Sequence, residues 1–133
     1  MIAIIGSRKF PFPVFDATID EVFDRIWKLH DERDGGVPTV VTGDAPGVDT
    51  FVYDWCAKRR IDCKPVTCLK PYINTYFLHR DAEIVALTGR YLIAYWDGTS
   101  TGTKFTMEYA VLRGKKVMVV NLNGKSCWFG EMK

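Results

Sequence analysis

Apolar residues in this chain come in two patterns that alternate along its length. Short unbroken runs stand at Ile2–Gly6 (IAIIG), Thr39–Thr42 (TVVT), Arg90–Trp96 (RYLIAYW) and Lys116–Leu122 (KVMVVNL). A strand with one wet face alternates apolar and polar residues, so runs like these read as strands covered on both faces. Between them the apolar positions recur at helical spacing. Ile19, Val22, Phe23 and Ile26 make one face of a helix predicted over 14–29, with Asp20, Glu21, Asp24 and Lys28 opposite. DERDGG closes it, with Gly35 and Gly36 as breakers. Val48, Phe51, Val52, Trp55 and Cys56 form the stripe of a second helix, with Pro46 in its first turn, where no N–H is needed. A short strand is predicted over 63–67, a loop over CLKPYINTY (68–76), a third helix over 77–87, and a fourth over 103–113 ending at Gly114. Asn123-Gly124 signals a turn, after which the tail either adds an edge strand or docks through Trp128 and Phe129.

Strands alternating with helices predict an α/β protein: a three-layer, Rossmann-like, doubly wound and mainly parallel sheet of about five strands. Residues 1–133 are read as one domain, since this length suits a single core. With 47% hydrophobic and 26% charged residues the chain falls in the packed globular class rather than the disordered one. No internal repeat, low-complexity segment or linker is visible.

The net charge of +2 is too small to mark a nucleic-acid binder, and the densest basic run, Lys58–Arg60, reads as the decoration of a helix end. No apolar stretch reaches the ~18 residues of a membrane span. The first residues enter a strand without a basic lead-in or cleavage pattern, so the cytoplasm is the expected location. Cys56, Cys63, Cys68 and Cys127 form no C-x-x-C, and His30 and His79 stand alone. Reduced thiols are expected, and no zinc site.

In doubly wound sheets ligands bind beyond the carboxyl ends of the strands. Three turns of related composition fall there: GSRKF after the first strand, TGDAPGVD after the second and WDGTSTGT after the fourth. Glycine lets backbone N–H groups approach a ligand without a Cβ between them. The helix that follows adds unpaired N–H groups and a positive dipole end, which suit phosphate. Ser7, Ser100, Thr101 and Thr103 add hydroxyls, and Arg8 a charged fork. Asp49 and Asp97 suit ribose hydroxyls or base amino groups. Each turn alone has a plain structural explanation, because Ser, Thr and Asp are ordinary N-caps. Three on one edge, with Arg8 and Arg80, point to an anionic, nucleotide-like ligand. The chain contains neither G-x-G-x-x-G nor G-x-x-x-x-G-K-[ST].

IIGSRKF, TGDAPGVD, HRDAEI and AYWDGTSTGTKFTMEYAVLRGKKV occur in the order found in the SLOG superfamily, and the chain resembles its small stand-alone branch related to YspA and YpsA. The resemblance covers almost the whole chain. It implies a Rossmann-like fold that binds nucleotides or nucleotide-derived ligands at Gly6, Ser7, Arg8, Gly43, Asp44, Ala45, Gly47, Asp49, Arg80, Asp81, Asp97, Gly98, Ser100, Gly102 and Thr103. It also implies self-association; a homodimer or larger is expected, through helix faces or the Trp128-Phe129 tail. Two positions depart from the branch's pattern: Asp44 where a glycine is usual, and Asp81 where an asparagine follows the arginine. Both add negative charge, which suits a ligand with few phosphates or one bound with a cation. No cofactor is expected beyond a divalent cation accompanying a phosphate.

Two enzyme groups of similar architecture, the LOG-type phosphoribohydrolases and the nucleoside deoxyribosyltransferases, place a Glu at the sugar, because N-glycosidic cleavage builds positive charge there. Here the residue three after Thr103 is Thr106, and the nearest carboxylate, Glu108, is rotated off that face and suits an i, i+4 pair with Lys104. A binder, sensor, carrier or sequestering protein is therefore expected ahead of an N-glycosidase, with Asp97, Asp49 or Asp81 as the stand-in carboxylates of the enzyme alternative. Single-stranded DNA binding, as in DprA relatives, is the second alternative, opposed by the low net charge. Trp96 suits a base stack or core packing, Tyr72 and Tyr76 a closing loop or its own anchor, and Trp27 and Trp55 the core.

Overall fold

A computed structural model describes residues 1–29, 39–66 and 74–130, with the backbone alone over 74–79. The elements in chain order are β1 (Ile2–Gly6), α1 (Phe12–Leu29), β2 (Thr39–Thr42), α2 (Val48–Arg59), β3 (Asp62–Pro65), α3 (Asn74–Leu87), β4 (Tyr91–Tyr95), α4 (Thr101–Leu112), β5 (Lys116–Val120) and β6 (Ser126–Trp128). They build one six-stranded sheet in the order β3-β2-β1-β4-β5-β6. The first five strands are parallel, and only β6 runs antiparallel, against β5.

The unbroken apolar runs are explained by a sheet wrapped on both faces. Alternate residues of β1, β2, β4 and β5 serve different cores. Ile2, Ile4, Val40, Ile93, Tyr95 and Val120 join Phe15, Ile19, Phe23, Val52 and Trp55 of α1 and α2 on one face. Ala3, Ile5, Val41, Leu92, Ala94 and Val119 join Ile84, Val85, Met107 and Ala110 of α3 and α4 on the other. Burying a side chain of this size is worth about 1.5–3 kcal/mol, so a one-residue register slip exchanges two whole sets of contacts. Trp55 is buried and Trp27 packs on the first core, as expected.

The sheet has six strands where about five were expected, because the tail supplies β6. Both tail aromatics are used within the chain: Trp128 packs on the first core and Phe129 on the second. The helix starts also move. α1 begins at Phe12 rather than 14, α3 at Asn74 rather than 77, and α4 at Thr101 rather than 103. Polar residues open α3 and α4, and periodicity counts only apolar positions, whereas α1 gains Phe12 and Pro13, which fall outside the apolar stripe of Ile19, Val22, Phe23 and Ile26. β3 covers 62–65 rather than 63–67. Pro46 sits in the turn before Gly47, the N-cap, and so lies outside the first helical turn. Gly35, Gly36, His30, Cys68, most of the loop read over 68–76, Tyr72, and the side chains of Tyr76 and His79 lie outside the described residues. No helix among the described residues is long and apolar enough to cross a membrane.

Strand order places the site. From β1 the chain winds outward to β2 and β3, then crosses back over β1 to β4 and β5. The turns after β1 and β4 therefore leave adjacent strand ends in opposite directions, opening a crevice at the carboxyl edge.

Candidate functional site

A cavity of about 440 Å³ lies in that crevice. Ten of the fifteen residues singled out in the sequence line it: Gly6, Arg8, Ala45, Asp49, Arg80, Asp81, Asp97, Ser100, Gly102 and Thr103. All three turns and the face of α3 reach it. Ser7, Gly43, Asp44, Gly47 and Gly98 belong to the same turns but stand behind the wall or beside it.

The β2–α2 turn is held together by Asp49. Its side chain is buried on the first turn of α2, where Oδ2 accepts the Ala45 N–H at 3.0 Å and Oδ1 lies 3.2 Å from the Thr42 hydroxyl. That hydroxyl also lies 2.7 Å from the Ile4 carbonyl, its shorter and better acceptor. A hydroxyl has one proton to give. The Thr42 hydroxyl therefore shares its one proton between the Ile4 carbonyl and Asp49 Oδ1. Burial raises the Asp49 pKa from 3.8 to about 6, against the opposing pull of the Ala45 N–H, the Arg80 charge and the Thr42 hydroxyl.

The glycines of this turn serve packing. A Cβ on Gly43 would sit 2.6 Å from Asp49 Oδ2. Gly47 has φ 90°, and a Cβ there would stand 2.4 Å from the main-chain oxygen of Arg8. The space beside Gly47 is therefore taken by the β1–α1 backbone. Gly6 plays a similar part: a Cβ would meet the Val48 side chain at 2.5 Å, so its absence lets α2 close on β1.

On α3, Arg80 joins the two positions that depart from the resembled pattern. It donates to Asp44 at 2.9 Å and lies 3.4 Å from Asp81. Burial works against its charge, but Asp81, Asp44 and Asp49 outweigh that and raise its pKa. Burial also raises the Asp81 pKa, against the charge of Arg80 and a hydrogen bond from Thr106. Arg80, from α3, thus pairs with both added carboxylates and offsets part of the extra negative charge read in the sequence.

The β4–α4 turn is built differently. Asp97 Oδ1 accepts the N–H groups of Thr99 and Ser100 at 2.9 and 2.8 Å. Slight burial disfavours its charge, yet these donors prevail and lower its pKa. The Asp97 N–H donates to Ser7 Oγ at 3.2 Å, and Ser7 Oγ lies 3.5 Å from Thr103 Oγ1. Ser7 is buried and ties the turns after β1 and β4 together; that is why it stands behind the wall. Gly98, at φ 86°, and Gly102 have nothing within 4 Å of an added Cβ. Among the described residues the N–H groups of Thr101, Gly102 and Thr103 meet no acceptor, as the first turn of a helix without a side-chain cap leaves them.

The cavity thus carries three cations, Arg8, Lys9 and Arg80, and three carboxylates, Asp49, Asp81 and Asp97. Arg8 and Lys9 are exposed. The apolar floor is Ile5 and Ile84. Lys9, Ile5 and Ile84 were missed in the sequence, although Ile84 stands one helical turn after Arg80 and so shares its face. Thr106, at the position read for a catalytic carboxylate, is buried and donates to the Gly102 carbonyl at 3.1 Å. Glu108 is exposed and lies 3.9 Å from Lys104, the pairing expected. Trp96 donates its indole N–H to the Ser100 carbonyl at 3.0 Å and packs on the second core. Among the described residues no group of three His, Cys, Asp or Glu side chains is arranged to hold a metal ion. No protein-family profile, curated protein or solved structure matches the chain.

Proposed function

We propose that this protein is a SLOG-type binder of a nucleotide or nucleotide-derived small molecule, acting as a sensor, carrier or sequestering protein. The observation that carries the reading is the convergence of the turns after β1, β2 and β4 on one cavity at the strand-order reversal, the usual ligand position in open α/β sheets. Arg8 and Lys9 on one side and the unpaired N–H groups of α4 on another suit a phosphate. With cations and carboxylates equal in number, a ligand of few phosphates fits better than a polyphosphate. Binding without turnover is favoured over N-glycosidic cleavage because Thr106 is a buried hydroxyl engaged with Gly102 and Asp81, not a carboxylate, and both oxygens of Asp49 are engaged in the turn. A homo-oligomer is part of the proposal. The end of α4 suits the contact better than the tail, since Val111 and Leu112 are exposed.

Calorimetry of the purified protein with nucleoside monophosphates tests the reading. Arg8→Ala is expected to weaken binding by about 1.5–3 kcal/mol, the scale of a charge-assisted hydrogen bond. Absence of heat with every nucleotide tried, at millimolar concentration, overturns it.

A further inference from the structure

A second, shallower pocket of about 190 Å³ opens beside the main cavity at the same sheet edge, between the β4–α4 turn and the β5–β6 turn. Asp97 lines both. The two spaces are therefore neighbours across one side chain, and a molecule seated in the first can reach the second over the open backbone of Gly98, where an added Cβ would meet nothing within 4 Å.

Their chemistry differs. The main cavity is lined by six charged side chains. The smaller one has Asp97 as its only charge among the described residues, and is otherwise made by Trp96, Val119, Leu122, Asn121 and Asn123. We infer that it is the subsite for the uncharged planar ring of the ligand, a nucleobase, whose phosphate and sugar occupy the main cavity. The inference rests on the nucleotide reading above.

Three features make this pocket suited to a ring. Trp96 is half-buried, and its orientation is fixed by the bond from its indole N–H to the Ser100 carbonyl, so it is a preset aromatic surface rather than a mobile one. Leu122 is 45% exposed, and a stacked ring would cover it. Asn121 Oδ1 already accepts the N–H groups of Asn123 and Lys125 at 2.9 and 3.1 Å. Two donors on one atom identify it as the oxygen, so what Asn121 offers a ligand is its NH₂ group, which matches an acceptor on a base edge. The β5–β6 turn is itself rigid: the Asn121 N–H donates to the Lys125 carbonyl at 2.9 Å and the Gly124 N–H to the Asn121 carbonyl at 3.0 Å.

The test compares AMP, GMP, CMP and UMP with ribose 5-phosphate, which keeps the sugar and phosphate but lacks the ring. Calorimetry with the wild type, Leu122→Ser and Trp96→Leu is the measurement. The wild type is expected to bind at least one of the nucleotides about tenfold more tightly than ribose 5-phosphate, the scale of one stacked base. Both variants should bring that nucleotide down towards the level of ribose 5-phosphate, and Leu122→Ser should leave ribose 5-phosphate itself within twofold. Leu122 is exposed, so its variant remains informative if Trp96→Leu fails to fold. Full retention of the preference in Leu122→Ser, or equal binding of all five probes by the wild type, overturns the subsite and leaves the main cavity standing. A wild type that binds none of the five overturns the nucleotide reading and the subsite with it.

Discussion

The turns after β2 and β4 look alike in sequence, each with two glycines, one or two carboxylates and small polar residues, yet they are built for opposite purposes. In the β2–α2 turn the space freed by glycine is already full: Asp49 Oδ2 occupies it at Gly43 and the Arg8 backbone at Gly47. Its carboxylates are spoken for as well, Asp49 by Ala45 and Thr42, Asp44 by Arg80. In the β4–α4 turn the space at Gly98 and Gly102 is empty, and the helix start keeps its N–H groups unmatched. One turn is a lock that shapes the wall, and the other is the open side of the site. A glycine-rich turn announces close approach, but whether a ligand or the protein's own chain does the approaching is a separate matter.

The contrast breaks most sharply at Gly47. Gly47→Val places a branched side chain at φ 90° against the Arg8 main chain, and is expected to cost well over 3 kcal/mol, leaving little folded protein. Urea denaturation, or the soluble yield, checks it. A folded Gly47→Val variant of ordinary stability would show that this turn is loose.

Next comes Arg80, nearly buried between its carboxylates at 11% side-chain exposure. Arg80→Met leaves Asp81 buried beside no opposing guanidinium, a change expected to cost about 3 kcal/mol near neutral pH, and less in acid where Asp81 is protonated. Denaturation midpoints at two pH values measure both parts.

Asp49→Asn sharpens the comparison through pH. The folded-state pKa, about 6, lies above the ordinary 3.8, so the folded state resists ionisation. The contribution of Asp49 to stability is therefore full below about pH 4 and is lost as pH rises through about 6, a change of about 3 kcal/mol. Asp49→Asn should gain on the wild type by about that amount between pH 4 and 7. Asp81, also raised, leaves a slope of the same sign in the variant. A stability difference that stays flat with pH would mean that Asp49 is well solvated.

The smallest effect lies on the open side. Gly102→Ala meets nothing within 4 Å and sits in the first turn of α4, where alanine is the better helix former. It should stabilise the fold by up to about 1 kcal/mol, read as a rise in Tm, while reducing nucleotide affinity because its methyl enters the cavity. Destabilisation would remove the distinction between the two turns.

The layered α/β plan was legible in the sequence because burial on both sheet faces forces unbroken apolar runs, and helices on a sheet force a 3.6-residue stripe. The three turns were legible because strand–helix alternation puts every βα connection at one edge, whatever the residues in it. Element starts were less so: polar residues open α3 and α4, and tertiary contacts decide how far those helices extend. Distant pairings were invisible. Nothing local in Gly43-Asp44 announces Arg80, and nothing in Ser7 announces the Asp97 N–H it accepts; these are meetings of residues 36 and 90 positions apart. The tertiary structure alone decided which glycines are filled and which are open, for the reason that a missing Cβ is a local fact while the atom that takes its place arrives from elsewhere in the chain.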